Sequence, residues 1–519
     1  MDRIEIYDTT LRDGAQGEGI SFSSEDKLKI LHALDEFSID FVEGGWPGSN
    51  PKDVDFFEAA KDVHLEHARL AAFGSTCRPG KAPEDDGNLT ALVDVGTPIV
   101  TIFGKSWKLH VTEVFRTTLD ENLRMIEDSV ARLVAAGRRV IYDAEHFFDG
   151  WREDPDYALA TLRAAATGGA DTLALCDTNG GSLPWQIEAA VSDALSIGPR
   201  LGIHAHDDTG CGVANSLAAV RAGARHVQGT LNGYGERCGN ANLCTILPNL
   251  ALKLGRQVLR PGALAELTDV ARWAAELANL VPDDHAPYVG HSAFAHKGGV
   301  HVAAVRRAHA AYEHVDPASV GNHTRVVVSD LAGRGSLAAK AEEQGIALTD
   351  ELGLAALSRL KDEEAAGFAF DAADGSVWVR LRRLAPGYLA PFTLVDYRVV
   401  AGPRYAEATL KLDVGGGVVH TAAEGDGPVH ALDAALRKAL APVYPAVARI
   451  SLDDYKVRIL DGRDGTRAVT RVLIDFSDGD RRWSTVGASA SILEATWLAL
   501  ADGLERGLES EVSQRKVSL

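Results

Sequence analysis

Eight short apolar, β-rich runs alternate with longer helical patterns up to about residue 245, and this alternation constrains the fold more than any other feature of the chain. The runs are Ile4–Tyr7, Phe41–Gly44, Arg69–Phe73, Val100–Phe103, Arg139–Tyr142, Thr172–Leu175, Gly202–His204 and His226–Thr230. Eight parallel strands close a barrel, although an open doubly wound sheet has the same alternation. Strand ends favour closure: Asp8, Glu43, Glu145, Asp177, His206 and Asn232 would then converge on one face. The expected fold is therefore α/β, a TIM (β/α)8 barrel. Between the first two strands, Glu25 to Phe37 reads as a helix behind a Ser23-Ser24 cap, with Leu28, Leu31, Leu34 and Phe37 on one face.

The first strand runs directly into Asp8-Thr-Thr-Leu-Arg-Asp-Gly-Ala-Gln16, which carries Arg12 and Asp13. At the C-terminal end of a barrel strand a carboxylate can bind metal and a guanidinium can hold a developing oxyanion. His204 and His206 lie two apart on a strand, so both imidazoles would point into the same mouth. With Asp13 they make a two-histidine, one-carboxylate set with open positions for water or substrate. Asn240 ends the turn Asn232-Gly-Tyr-Gly-Glu-Arg-Cys-Gly-Asn240 and would add a carbonyl oxygen or hold a bound water. Such ligands suit Mg or Mn in a mixed octahedron, Zn in a tetrahedron, or Fe(II) at a facial triad.

Composition sets the outer limits. A chain of 519 residues, 46% of them apolar, holds several packed cores, roughly three domains by length. Lys and Arg number 53 against 73 Asp and Glu, a net −20 that offers no general footprint for nucleic acid or an anionic membrane. Cys77, Cys176, Cys211, Cys238 and Cys244 lack CxxC spacing and read as reduced thiols of a cytoplasmic protein. No apolar run reaches the ~18 residues of a membrane span, and no secretory h-region follows Met1.

Three spaced motifs, Asp8 to Gln16, His204-Ala-His-Asp-Asp-Thr-Gly210 and Asn232-Gly-Tyr-Gly-Glu-Arg-Cys-Gly-Asn-Ala-Asn242, closely resemble signatures of the 2-isopropylmalate, homocitrate and citramalate synthase family. Members of that family are metal-dependent Claisen-type condensing enzymes on a TIM barrel. The resemblance continues through Ala293 to His301, Tyr312 to Pro317 and Asp454 to Leu460, and so covers nearly the whole chain. Within the family, the segments Glu43 to Pro51, Thr101 to Trp107 and Tyr142 to Gly150 look most like the citramalate synthase branch. The resemblance implies condensation of acetyl-CoA with pyruvate on the way to isoleucine. It implies that Arg12 and Thr178 bind the 2-oxo acid and that Glu145 sits beside Arg12. It also implies that His301 and Tyr312 reach over the metal site of the other subunit of a homodimer. Two departures stand out: Asp143 occupies a position that is apolar or aromatic in some relatives, and His301 is followed by Val-Ala-Ala304 where the family usually has Gln-Asp.

Beyond the barrel (1–275), residues 276–390 read as helical connecting subdomains, and 391–519 contain an internal βββα repeat. Asp396-Tyr-Arg-Val399 and Asp454-Tyr-Lys-Val457 open its two halves, and the helices Val429–Leu440 and Ile492–Leu504 close them. A unit this small should pair with its copy or with another subunit. Family resemblance makes it a regulatory and dimerisation domain, with isoleucine as effector. Alternative readings are 2-isopropylmalate synthase, a barrel lyase or aldolase using the same metal, and a sensor without activity.

Overall fold

A computed structural model of the chain describes residues 2–328, 334–461, 465 and 467–512. Eight parallel strands close in sequence order: β1 Glu5–Asp8, β2 Phe41–Gly45, β3 Arg69–Ser75, β4 Ile99–Lys105, β5 Arg139–Glu145, β6 Thr172–Asp177, β7 Arg200–Ala205 and β8 His226–Gly229. The barrel expected from the alternation is present. The first helix spans Ser24–Glu36, and Ser23 and Asp26 cap it reciprocally. Leu31, Leu34 and Phe37 are fully buried against the barrel, with Leu28 packed at the margin of the same core.

Alternation along each strand separates two cores. Outward-facing residues such as Ile6, Val42, Val140, Tyr142, Leu173 and Ile203 pack under the helices. Inward-facing Tyr7, Phe41, Ala71, Ile99, Ile141 and Ala174 make a small separate cluster inside the barrel. His226 also lies inside, beside Tyr7 and Phe41, with ring centroids 5.5 and 5.7 Å away. Gly202 makes room for it, since a Cβ there would lie 2.8 Å from the His226 ring.

Charge closes the N-terminal end. Glu5 pairs with Arg139 (3.2 Å) and Arg200 (3.0 Å), and its carboxylate faces His226 Nδ1 at 3.6 Å. Burial alone would raise the Glu5 pKa, but His226 and the two arginines outweigh it and hold the carboxyl down at about 2. Burial also keeps the His226 pKa below its ordinary value, so at neutral pH the arginines carry most of the positive charge.

Residues 2–294 and 315–323 form one compact unit; 295–314 and the described residues from 324 onward form another. In the second unit, β9 Ala295–His296 pairs in parallel with β10 Arg325–Val326. Two antiparallel sheets follow, β11 Phe392–Ala401, β12 Ala406–Val414 and β13 Gly417–Gly425, then β14 Ser451–Ile459, β15 Thr470–Ser477 and β16 Arg482–Ser489. Each precedes a helix, Pro428–Leu440 or Ile492–Gly507, so the βββα repeat is real; 513–519 lie outside the described residues. Its copies agree to the level of a bulge, at Leu394/Asp396 in one and Leu452/Asp454 in the other. Gly487 belongs to β16, and a Cβ there would sit 1.9 Å from the carbonyl oxygen of Ala495. Arg383 donates twice to Glu505 (3.0 and 2.6 Å), tying the helix Asp374–Leu384 to the helix Ile492–Gly507. Among the described residues no helix is long and apolar enough to cross a membrane.

The Glu5 cluster makes a pH-dependent contribution to stability. Because its folded pKa is depressed, that contribution is present above the ordinary carboxylate pKa of 4.5 and is lost as pH falls toward about 2. Glu5→Gln should lower the unfolding free energy by about 1–2 kcal/mol at pH 7, and the difference from wild type should shrink between those pH values in urea titrations. A pH-independent difference would assign the loss to packing.

Candidate active site

The loop after β1 turns tightly. Asp8 accepts from Thr10 N (2.8 Å) and Thr10 Oγ1 (3.0 Å), and Thr10 Oγ1 accepts from Leu231 N (2.9 Å). Thr9 O accepts from the backbone N–H groups of Arg12 (3.2 Å) and Asp13 (2.9 Å). Arg12 and Asp13 are thereby presented at the C-terminal mouth of the barrel. Asp8 itself faces outward, as do Asp177, which holds the β6 loop through Ser182, and Asn232, which donates to Ala271 O. Of the six strand-end residues expected to converge, these three hold loops instead. The strand period explains two of them: Asp8 follows inward-facing Tyr7, and Asp177 follows inward-facing Cys176.

Asp13, His204 and His206 do converge. Their ligand atoms lie within 4.8 Å of one another, all three residues are buried, and they are the one such group among the described residues. His204 Nε2 is 3.2 Å from Asp13 Oδ2 and 3.3 Å from His206 Nε2. Burial opposes ionisation of Asp13, yet Arg12 and the imidazoles outweigh it and keep the carboxyl well below the usual range. For His204, burial is overcome by Asp13 and the pKa is raised. Burial, with His204 alongside, pushes the His206 pKa down to about 4. One carboxylate and two inward nitrogens thus crowd a small buried volume, as a divalent-cation site requires. Asn240 fits beside them: it bridges to His206 through the backbone, and its buried Oδ1 has no hydrogen-bond partner.

Arg12 is held from three sides. Its Nε and Nη2 donate to Glu43 at 2.9 and 3.1 Å, its guanidinium lies 3.7 Å above the Phe73 ring, and Nη1 is 3.5 Å from Asp13 Oδ1. Burial disfavours the guanidinium charge, but Asp13 and Glu43 more than restore it. The carboxylate beside Arg12 is therefore Glu43; Glu145, expected there from resemblance, is ion-paired with Lys105. Lys105 and Glu145 are register partners on β4 and β5, which makes that pairing the short-range choice.

Phe73 stacks on Phe103 (5.5 Å), and Trp46 meets both edge-on at 5.6 Å, forming an aromatic wall beside Arg12. Thr178 is half-buried. Its Oγ1 accepts from the His146 backbone N–H (2.8 Å), which leaves its own O–H to donate. Asp143 points into the barrel interior, where its Oδ1 accepts from Gln228 Nε2 (2.9 Å), and burial raises its pKa to about 7. In the second unit, His301 and Tyr312 are exposed and stacked, with ring centroids 4.2 Å apart.

Known proteins bear on this geometry. Residues 3–273 match the HMGL-like family, 288–366 the homocitrate synthase post-HMGL domain-like family, and 373–508 the LeuA allosteric (dimerisation) domain. An (R)-citramalate synthase from Synechocystis sp. is 55% identical over 97% of this chain and 96% of its own length. Those of Streptomyces coelicolor and Geobacter sulfurreducens are 50% and 49% identical, each over 97% or more of both chains. The chain belongs to the (R)-citramalate synthase family. As a member of that family it is an acyltransferase, and the buried Asp13/His204/His206 group lies in its HMGL-like barrel. The sequence places Glu43 at the mouth but does not make it the clamp on Arg12, and it does not single out Phe73 as the stacking surface, although both are inward-facing strand positions.

A cation fixed so firmly should act on charge that develops during reaction. Arg12→Ala is expected to lower kcat roughly 10²–10³-fold with little change in KM, and Glu43→Gln, which keeps one acceptor, should cost less. Steady-state kinetics of the two variants decide the point, and an effect confined to KM would assign Arg12 to ground-state binding.

Proposed function

We propose that the chain condenses acetyl-CoA with pyruvate and water to give (R)-citramalate and CoA, serving isoleucine formation in the cytoplasm. The observation that carries this reading is the convergence of Asp13, His204 and His206 beside Arg12 in a member of the (R)-citramalate synthase family. A divalent cation on those three residues and Asn240, Mg or Mn before Zn for a mixed N/O set, supplies Lewis-acid polarisation of the keto group.

The remaining work falls to the chain's own groups. Arg12 commits Nε and one N–H of Nη2 to Glu43, and Nη1, which also faces Asp13, has an N–H to offer the keto oxygen as it gains charge. Thr178, with its O–H uncommitted to His146, donates to the substrate carboxylate. The wall of Trp46, Phe73 and Phe103 gives the small methyl group of pyruvate an apolar surface. Glu145, held by Lys105, is a further carboxylate at the strand ends for proton handling. His301 and Tyr312, supplied by a second subunit of a homodimer, are the groups assigned to the methyl proton of acetyl-CoA. That assignment rests on motif resemblance. The C-terminal repeat is assigned the binding of isoleucine, which controls the rate by preferring one of two conformations.

Release of free CoA thiol from acetyl-CoA tests the reading. Pyruvate should be used in preference to 2-oxoisovalerate, 2-oxobutyrate and 2-oxoglutarate, chelator should stop the reaction, and isoleucine should slow it. Mixing His301→Ala chains with His204→Ala chains should restore part of the activity. Preference for 2-oxoisovalerate would make the chain a 2-isopropylmalate synthase, and absence of thiol release with every acid would end the synthase reading.

A further inference from the structure

Inside the barrel, directly beneath His204, lies a pair of polar side chains that the reaction as described does not use. His204 and Gln228 are register partners on β7 and β8, and His204 Nδ1 lies 2.9 Å from Gln228 Oε1. The other end of the same amide, Gln228 Nε2, donates to Asp143 Oδ1 at 2.9 Å and approaches His226 Nε2 at 3.5 Å. Gln228 is fully buried, Asp143 3% exposed and His204 5% exposed, so water offers none of them an easy alternative partner.

We propose that Asp143 and Gln228 form a positioning relay that sets which nitrogen of His204 carries the proton, and so keeps Nε2 open for the cation. The inference rests on the reading of Asp13, His204 and His206 as metal ligands. Above its pKa of about 7 the Asp143 carboxylate can only accept, and its Oδ1 draws the amino group of Gln228 toward itself. His226 Nε2, whose ring turns Nδ1 toward Glu5, is a second acceptor on the same side. The amide therefore cannot flip without setting its oxygen against two acceptors. With its orientation fixed, Oε1 faces His204 Nδ1, and an amide oxygen can only accept. Nδ1 then keeps its proton, and Nε2, 3.2 Å from Asp13 Oδ2 and 3.3 Å from His206 Nε2, is the nitrogen whose proton a bound cation would replace. The relay also gives Asp143 a physical role where some relatives carry an apolar or aromatic residue: it orients a ligand from below.

The donor and acceptor pattern can be inverted without changing shape. Asp143→Asn lets the amide at 228 flip and present N–H to His204, while Gln228→Glu sets two carboxylates against each other. Each single variant should bind Mn(II) about 10–100-fold more weakly in calorimetric titration of the metal-stripped chain. The double variant Asp143→Asn/Gln228→Glu should recover most of the affinity, because the new amide donates to the new carboxylate, which still accepts from His204 Nδ1. A merely structural role would lower Tm in the single variants and leave the Mn(II) affinity alone. Wild-type affinity in both single variants, or a double variant no better than the weaker single, overturns the relay. Failure of the wild-type chain to bind Mn(II) overturns the metal centre and the relay with it. Should a single variant not fold, the ring ¹⁵N shifts of His204 in the Mg(II)-loaded wild-type chain decide, with Nδ1–H expected and Nε2–H overturning the proposal.

Discussion

Everything at the mouth depends on the two-residue period of eight parallel strands. A side chain one position out of phase faces the helices and can do no chemistry, while one in phase is forced into a narrow interior shared by all eight strands. His204 and His206 are in phase, and Asp13 reaches them from the turn that Asp8 and Thr10 hold closed. The same phase puts Glu43, Asp143 and Gln228 inside, where their charges and dipoles must find partners within the barrel.

Burying this many charges is tolerated only because they are matched. An ionised group left alone in such an interior costs several kcal/mol, so removing one partner is more damaging than the pair's net worth suggests. Arg12 is matched by Glu43 and Asp13, Lys105 by Glu145, and Glu5 by Arg139 and Arg200. Asp13 and the two imidazoles are crowded together, with His204 Nε2 3.2 Å from Asp13 Oδ2 and 3.3 Å from His206 Nε2. A polar column thus runs along the barrel, from Glu5 through His226, Gln228 and His204 to Asp13, beside the apolar cluster of Tyr7, Phe41, Ala71, Ile99, Ile141 and Ala174.

Much of this was legible in the sequence, and where it was not there is a physical reason. Strand number, the first helix cap and the βββα repeat follow from local periodicity, and the repeated Asp-Tyr pair even marks the shared bulge in β11 and β14. His204 and His206 were legible because two residues on one strand need no tertiary information to share a face. Asp8, Asp177 and Asn232 were misplaced because a polar residue at a strand end reads alike whether it faces the mouth or ties down its loop. The partner of Arg12 was misread for a different reason: Glu43 and Glu145 both end strands, and it is Glu43, on the strand paired directly with β1, that meets Arg12, while Glu145 on β5 pairs with Lys105. Asp143 looked like a departure in a substrate pocket, yet its contact is with Gln228 on β8, 85 residues away.

The central claim is that Asp13, His204 and His206 bind a divalent cation on which the condensation depends. Anomalous diffraction from crystals grown with Mn(II) tests it most directly. The expected result is a single strong peak about 2.0–2.4 Å from Asp13 Oδ2 and from Nε2 of both histidines, with Asn240 Oδ1 or a water completing the set. A fully active enzyme whose crystals show no peak there, or show it only elsewhere on the chain, would contradict the account.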